Sequence, residues 1–276
     1  MPTHAKPANT RIDDGQMIYD HNITKNPMDK LFESHMHDVC EILLLVKGDV
    51  SYIVEGKTYK LKRGDIVLSR PSVLHRIRPD GNDDYERYNV IYDEKRLPHS
   101  LLEKIPPGVD VFRFEDDRAI EEIFEKLDSY AKRFSGAELS HIAKNLIEEV
   151  FFLIASSEAR DRDSSINPLV GKALKYISEN LSTIRNISEI CDALYITKSH
   201  LHHIFIKNVQ MSPKQYINSK RLIKARKLIR KGGKPTEIYT DCGFDDYTTF
   251  FRNYKKYFGY KPSEEDISVI KKEKTS

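Results

Sequence analysis

The spacing of apolar positions changes character twice along the chain. Between about Phe32 and Tyr92, short apolar or β-branched runs alternate with turn residues. The runs are Glu41–Val46, Val50–Val54, Thr58–Leu61 and Ile66–Ser69, and Gly48, Glu55-Gly56, Gly64-Asp65, Pro71 and Asp80-Gly81 punctuate them. Closely spaced strands of this kind predict a small sandwich or barrel. After Pro106-Pro107-Gly108 the period lengthens. Asp117–Phe134 reads as a helix, and from Leu139 the apolar positions 139, 142, 143, 146, 147, 150, 151 and 154 form one helical stripe. That stripe suits a cover for the barrel or a dimer seam, and periodicity does not separate the two. Residues 156–168, SSEARDRDSSINP, are polar and nearly free of apolar side chains, the clearest linker in the chain. Everything after them reads helical.

Within that helical half two similar units recur, over 187–208 and 235–258. In the first, a short helix around Ser188–Leu194 buries Ile190, Cys191 and Leu194. Tyr195-Ile196 turns, and Thr197 is placed to cap a second helix. On that helix Leu201, Ile204 and Phe205 face inward, leaving Lys198, Ser199, His202, His203 and Lys207 outside. Two short helices across a tight turn, with a polar exposed face on the second, is helix-turn-helix geometry. In the second unit a short helix around Thr236–Asp241 precedes a turn at Gly243. Asp245 is expected to cap the next helix, with Phe250, Tyr254 and Tyr257 in the core and Tyr247, Thr248, Phe251 and Arg252 outward. Between the units, Ser212-Pro213 starts a connecting helix that Gly232-Gly233 ends. Its stripe is Ile217, Leu222, Ala225, Leu228 and Ile229. Lys220, Arg221, Lys224, Arg226, Lys227, Arg230 and Lys231 are expected to cover the rest.

Charge sharpens this division. The formal net charge of +3 hides 21 Lys+Arg against 11 Asp+Glu from Pro168 to Ser276, a net +10. Residues 1–167 carry 24 basic and 31 acidic residues, a net −7. One half is thus suited to a polyanion. Three single cysteines, Cys40, Cys191 and Cys242, argue for a reducing compartment and read as small buried side chains. With no apolar stretch long enough for a signal peptide or a bilayer span, the expectation is a cytoplasmic protein with no membrane partner.

Residues from about Leu169 to Glu264 resemble the DNA-binding domain of the AraC/XylS family of bacterial transcription regulators. Leu201, Phe205, Ser212-Pro213, Tyr216, Arg221-Leu222, Ala225, Leu228, Gly243-Phe244, Phe250, Arg252, Phe258-Gly259 and Pro262 carry the resemblance in order and spacing. It departs at Gln210, where the family usually has glycine, and at Tyr239, where it usually has alanine; Tyr239 implies different packing in the second unit. The resemblance implies double-stranded promoter DNA as partner. Ser199, His202 and His203, with Lys198 and Lys207, match the first base-reading helix, and Tyr247, Thr248 and Arg252 the second. Surrounding lysines are expected on phosphates.

In the N-terminal half, SHMHDVCEILLLVKG (residues 34–48) puts His35, His37, Val39 and Glu41 on one strand parity. With Gly48, the Gly64-Asp65 turn and His75, this resembles a cupin barrel, a domain the AraC family often carries as its effector sensor; Arg70-Pro71-Ser72 departs from the second motif. In metal-binding cupins three His and one Glu hold a divalent cation, and these types suit iron, nickel, manganese or zinc. The same positions in sensor cupins bind a small polar effector. The favoured expectation is an effector pocket of His35, His37, Glu41 and His75 that requires no cofactor, with a divalent metal as the alternative occupant.

The expected fold class is therefore α+β. A polar arm spans 1–30, a cupin-like effector-sensing barrel 31–115, a helical packing or dimerisation segment 116–157, a linker 158–168, and an all-α domain with two helix-turn-helix units 169–266. The expected function is a sequence-specific, effector-controlled transcription regulator, a homodimer able to engage RNA polymerase. The competing reading is a cupin metalloenzyme using His35, His37, Glu41 and His75. An enzyme has no need of two helix-turn-helix units on a basic connecting helix, so no catalytic residues are expected. Effector, target genes, direction of regulation and dimer interface are not legible.

Overall fold

A computed structural model describes residues 10–265, apart from positions 16, 107, 115–117 and 158–165. Among these residues there are nine strands: β1 (Thr10–Asp13), β2 (Met17–Thr24), β3 (Cys40–Lys47), β4 (Val50–Val54), β5 (Lys57–Lys60), β6 (Asp65–Ser69), β7 (His75–Pro79), β8 (Tyr85–Tyr92) and β9 (Val111–Arg113), of which β3 to β6 are the four punctuated runs. They form two antiparallel sheets, a six-stranded one in the order β1-β2-β8-β3-β6-β9 and a three-stranded one in the order β5-β4-β7. The cupin-like barrel is therefore two facing sheets, with no closed cylinder among the described residues. Leu43, Leu45 and Val67 point from the large sheet toward Val50, Tyr52, Val54 and Ile77 of the small one. Ile42, Leu44, Ile66, Leu68 and Val90 point the other way, onto helices. Both faces of β3 are buried, so it reads as a nearly unbroken apolar run.

Two expectations change here. The polar arm over 1–30 is strand from Thr10 to Asp13 and from Met17 to Thr24, with residues 1–9 outside the described ones. β2 escapes a periodicity reading because its polar side chains are buried in partnerships. His21 Nδ1 lies 2.6 Å from Asp128 and Nε2 3.1 Å from Glu86, while the Tyr19 hydroxyl donates to Asp128 at 2.6 Å. The second change concerns the 139–154 stripe. α1 (His99–Lys104), α2 (Ala119–Ala131) and α3 (Gly136–Ser156) belong to this half. Ala143, Leu146, Ile147, Val150, Phe151 and Ile154 of α3 are buried in the cluster that covers the large sheet. Of its two expected roles the stripe takes that of a cover for the sheet; Phe152, 53% exposed, lies outside it.

The C-terminal half holds α4 (Pro168–Asn180), α5 (Ile187–Leu194), α6 (Lys198–Val209), α7 (Pro213–Arg230), α8 (Pro235–Ile238) and α9 (Tyr247–Phe258) around one core. The expected linker lies mostly outside the described residues. Local chemistry sets the helix ends. Thr197 Oγ1 accepts from the His200 N–H at 3.2 Å, and Ser212 and Gln215 form a reciprocal capping box. Gly243 turns at φ +90°, as expected. Gln210 sits at φ +56°, which explains glycine as the usual residue there. The cap of α9 is Asp246, whose carboxylate accepts from Thr249 N–H at 2.7 Å. Asp245, expected in that role, instead pairs with Arg185 at 2.6 Å. All three cysteines are buried.

The two halves share a core. Met36 and Leu74, from the sheet half, are buried within the helical cluster. The β4–β5 turn adds to it: a Cβ on Gly56 would meet Val170 Cγ1 at 3.0 Å.

Candidate effector pocket and nucleic-acid interface

A cavity of about 190 Å³ opens between the two sheets, and His35, His37, Glu41 and His75 all line it. Strand pairing brings these residues together. His35 and His75 form an isolated bridge, each N–H donating to the other's carbonyl at 3.0 and 2.9 Å. Glu41 enters from β3, in register with Ser69 of β6. Its Oε2 lies 2.8 Å from His37 Nε2, 3.0 Å from His75 Nε2 and 3.8 Å from His35 Nε2. One ligand atom from each of the four residues lies within 4.8 Å of the others.

The other nitrogens sharpen the chemistry. Nδ1 of His35, His37 and His75 faces the backbone carbonyl of Glu33, Val39 and Val73, at 3.0, 2.8 and 2.9 Å. A neutral imidazole has one N–H to give. Given to the carbonyl, it leaves the Nε2 lone pair turned toward a carboxylate oxygen. Carbonyl-anchored Nδ1 with converging Nε2 is the arrangement that orients histidines toward a metal ion. Burial alone would raise the Glu41 pKa, but His35, His37 and His75, where they turn an Nε2–H to the carboxylate in place of the lone pair, outweigh it and hold the carboxyl well below the ordinary range. Burial and the neighbouring His35 push the His75 imidazole down to about 4, against the pull of Glu41.

The remaining wall was not legible from the sequence. Asn89, opposite Leu43 in the β3–β8 register, lines the cavity with a buried Oδ1 that has no partner among the described residues. Arg87 lies over the rings of Tyr85 and Phe32, at 4.5 and 5.7 Å from their centroids. Ser69 Oγ and the Tyr52 hydroxyl share a 2.7 Å hydrogen bond. Which strands lie opposite one another decides these neighbours, and no local pattern encodes that.

The second candidate surface lies on α6 and α9. Leu201, Ile204 and Phe205 are buried, and Lys198, Ser199, His202, His203 and Lys207 are exposed, as expected. On α9, Thr248 and Arg252 are exposed, and Tyr247 is half-buried with its ring 5.8 Å from that of Tyr239. Tyr257, expected in the core, is half-buried, and Phe258 takes the buried place. The connecting-helix cations need correction. Arg226 and Arg230 are buried, each paired with Asp38 and Glu265. Arg221 donates to the carbonyls of Leu181 (2.9 Å) and Ile184 (2.5 Å), and Lys224 to that of Asp241 at 2.7 Å. Lys220 pairs with Glu55 at 2.5 Å. Of the seven, Lys227 and Lys231 are exposed.

Comparison with known proteins agrees with this division. Residues 23–147 match the family model of an AraC-like ligand-binding domain, and residues 190–265 that of a helix-turn-helix domain. The transcriptional activator RhaS of Escherichia fergusonii is 23% identical over 244 residues, 84% of this chain and 87% of that protein. The transcriptional activator RhaR of Cronobacter sakazakii is 24% identical over 250 residues, 84% and 86% of the two chains. A crystal structure of ToxT from Vibrio cholerae O395 is 12% identical, covers 89% of this chain and 96% of that one, and superposes with a TM-score of 0.39.

Proposed function

Since the chain belongs to the AraC family of transcription regulators, with a ligand-binding domain followed by a helix-turn-helix domain, we propose that α6 and α9 read promoter DNA while the cavity binds the controlling effector. One observation carries this reading: two capped helices, Lys198–Val209 and Tyr247–Phe258, present exposed polar N-terminal faces on one shared core. Ser199, His202 and His203 would address bases from the first, and Thr248 and Arg252 from the second, with Tyr247 packed beside them. Lys198 and Lys207 would hold phosphates. The effector is a small polar molecule, hydrogen-bonded by the histidines and donating to Asn89 Oδ1.

We read the molecule as a regulator and not an enzyme. It acts in the cytoplasm as a homodimer that places paired DNA-binding halves and engages RNA polymerase. Among the described residues no helix is long and apolar enough to cross a membrane. A gel-shift titration against the gene's own upstream region tests the reading: that fragment should be retained while a large excess of random DNA fails to compete. Equal competition by random DNA would end it.

The carbonyl-anchored imidazoles favour a second feature of the same pocket. His35, His37, Glu41 and His75 fit a divalent cation, which when bound would supply a Lewis-acidic anchor for an effector oxygen. The protein's part is to hold three Nε2 atoms and one carboxylate in place. Elemental analysis of protein purified without an affinity tag tests this. Below ~0.1 equivalent of metal, unchanged by His37→Ala, the pocket works without one.

A further inference from the structure

The residues between the cavity histidines point the other way. Met36 is buried in the helical core and its carbonyl accepts from the Tyr257 hydroxyl at 3.3 Å. Ser34 Oγ donates to the Val209 carbonyl at 3.3 Å. Asp38 lies 3.2 Å from Arg226 and 3.3 Å from Arg230. The facing segment behaves alike. Around the cavity-lining His75, Leu74 is buried in the helical core, the Ser72 carbonyl accepts from Lys220 at 2.6 Å, and Arg76 donates to the Gln210 side chain. The His35–His75 bridge joins the two segments. Residues 34–38 and 72–76 thus form a thin wall, with the cavity on one side and the DNA-binding half on the other. That wall grips the C-terminal ends of both recognition helices, at Val209-Gln210 on α6 and at Tyr257 on α9.

We propose that this wall is the transmission element of the regulator. Filling the cavity at His35, His37, Glu41 and His75 fixes the wall, and the fixed wall sets the placement of α6 and α9. This rests on the cavity being the effector site. Direct adjacency along the chain makes the coupling short: a shift at His35 or His37 moves Met36 and Asp38 with it. An occupant that orders the wall pays an ordering cost that docking then need not pay again. The coupling is reciprocal, so docking of the helical half must raise the affinity of the cavity for its occupant. Asp38, paired with Arg226 and Arg230 and not among the residues that line the cavity, is therefore a positioning residue for the cavity.

Full-length Asp38→Asn provides the test, with Lys227→Gln, exposed on α7 next to Arg226, as control. Co²⁺ alone serves as probe, and amide hydrogen exchange reads the wall. Asp38→Asn should weaken Co²⁺ binding at least about fivefold and speed exchange at His35 and His75 at least about tenfold, and Lys227→Gln should do neither. In the reverse direction Glu41→Gln, inside the cavity, should speed exchange across Tyr216–Lys220. If wild-type protein takes up no Co²⁺, the metal reading fails and exchange in both directions still decides the coupling. Exchange at His35 and His75 unchanged in folded Asp38→Asn, or across Tyr216–Lys220 unchanged in Glu41→Gln, would overturn the proposal.

Discussion

Replacing Glu265 by glutamine should destabilise the helical half by about 3 kcal/mol, and removing Arg230 as well should restore most of that. Four charges meet where the two halves join. Glu265 lies 3.2 Å from Arg226 and 3.0 Å from Arg230, and Asp38 closes the set from the sheet half. Side-chain exposure is 0% for Glu265, 1% for Arg226, 5% for Arg230 and 7% for Asp38, so water screens none of them well. Two cations balance two carboxylates. An amide at 265 keeps the shape and still accepts from the Tyr254 and Tyr260 hydroxyls, now at 2.7 and 2.8 Å, but leaves one buried charge unbalanced. Breaking a buried pair in this way costs roughly 3–5 kcal/mol, and the retained tyrosine bonds favour the low end. Adding Arg230→Met leaves Asp38 with Arg226, a balanced pair, and apolar replacement of paired charges is close to neutral. Urea unfolding followed by helical circular dichroism measures both. With a slope of ~2 kcal/mol per molar, the single variant's midpoint should fall by ~1.5 M and the double variant's by under half of that. A single-variant shift below ~0.5 M, or a double variant no better than the single, would refute the charge-balance reasoning.

Arg252→Ala should weaken binding to the specific site by ~1–3 kcal/mol and relax selectivity at one base position, whereas Lys198→Gln or Lys207→Gln should weaken all DNA alike and reduce the salt slope by about 1; titrations at several salt concentrations separate the two patterns. Gly243→Ala should cost more than ~1 kcal/mol in urea unfolding, because φ is +90° and a Cβ would come within 2.7 Å of Arg221 Nε; an unchanged midpoint would contradict this. Burial alone would lower the His21 pKa, but Asp128 and Glu86 outweigh it and raise it. A raised value gives stability in full below the unfolded value of about 6.5, lost as pH rises through the folded value. The melting advantage of wild type over His21→Asn should therefore shrink from pH about 6 to about 9, and growth with pH would contradict the assignment.

The helix-turn-helix units were legible because their signals are local. Thr197, Ser212-Pro213 and Gly243 each act within a turn or two of their own position. Even so, the local pattern points to Asp245 for the cap that Asp246 provides, because the competing partner of Asp245, Arg185, lies 60 residues away. The four pocket residues were legible from type and strand parity, but Asn89, Arg87 and Ser69 depend on which strands pair. β2 was hidden because His21 is partnered 107 residues away by Asp128. The basic face of α7 misled for the same reason: Lys220 is claimed by Glu55, 165 residues earlier. Charge on a helix reads as solvated until its distant partner is known. What the sequence conceals is long-range pairing of polar groups, including the contacts that join cavity to DNA-binding half.

A nuclease footprint of the full-length protein on its gene's upstream region tests the central claim most directly. Two recognition helices on one core should protect segments about one duplex turn, ~10 base pairs, apart on one face of the DNA. Arg252→Ala should erase the protection nearest α9 and His203→Ala that nearest α6. Uniform protection along the fragment, or a footprint that neither substitution alters, would contradict the account.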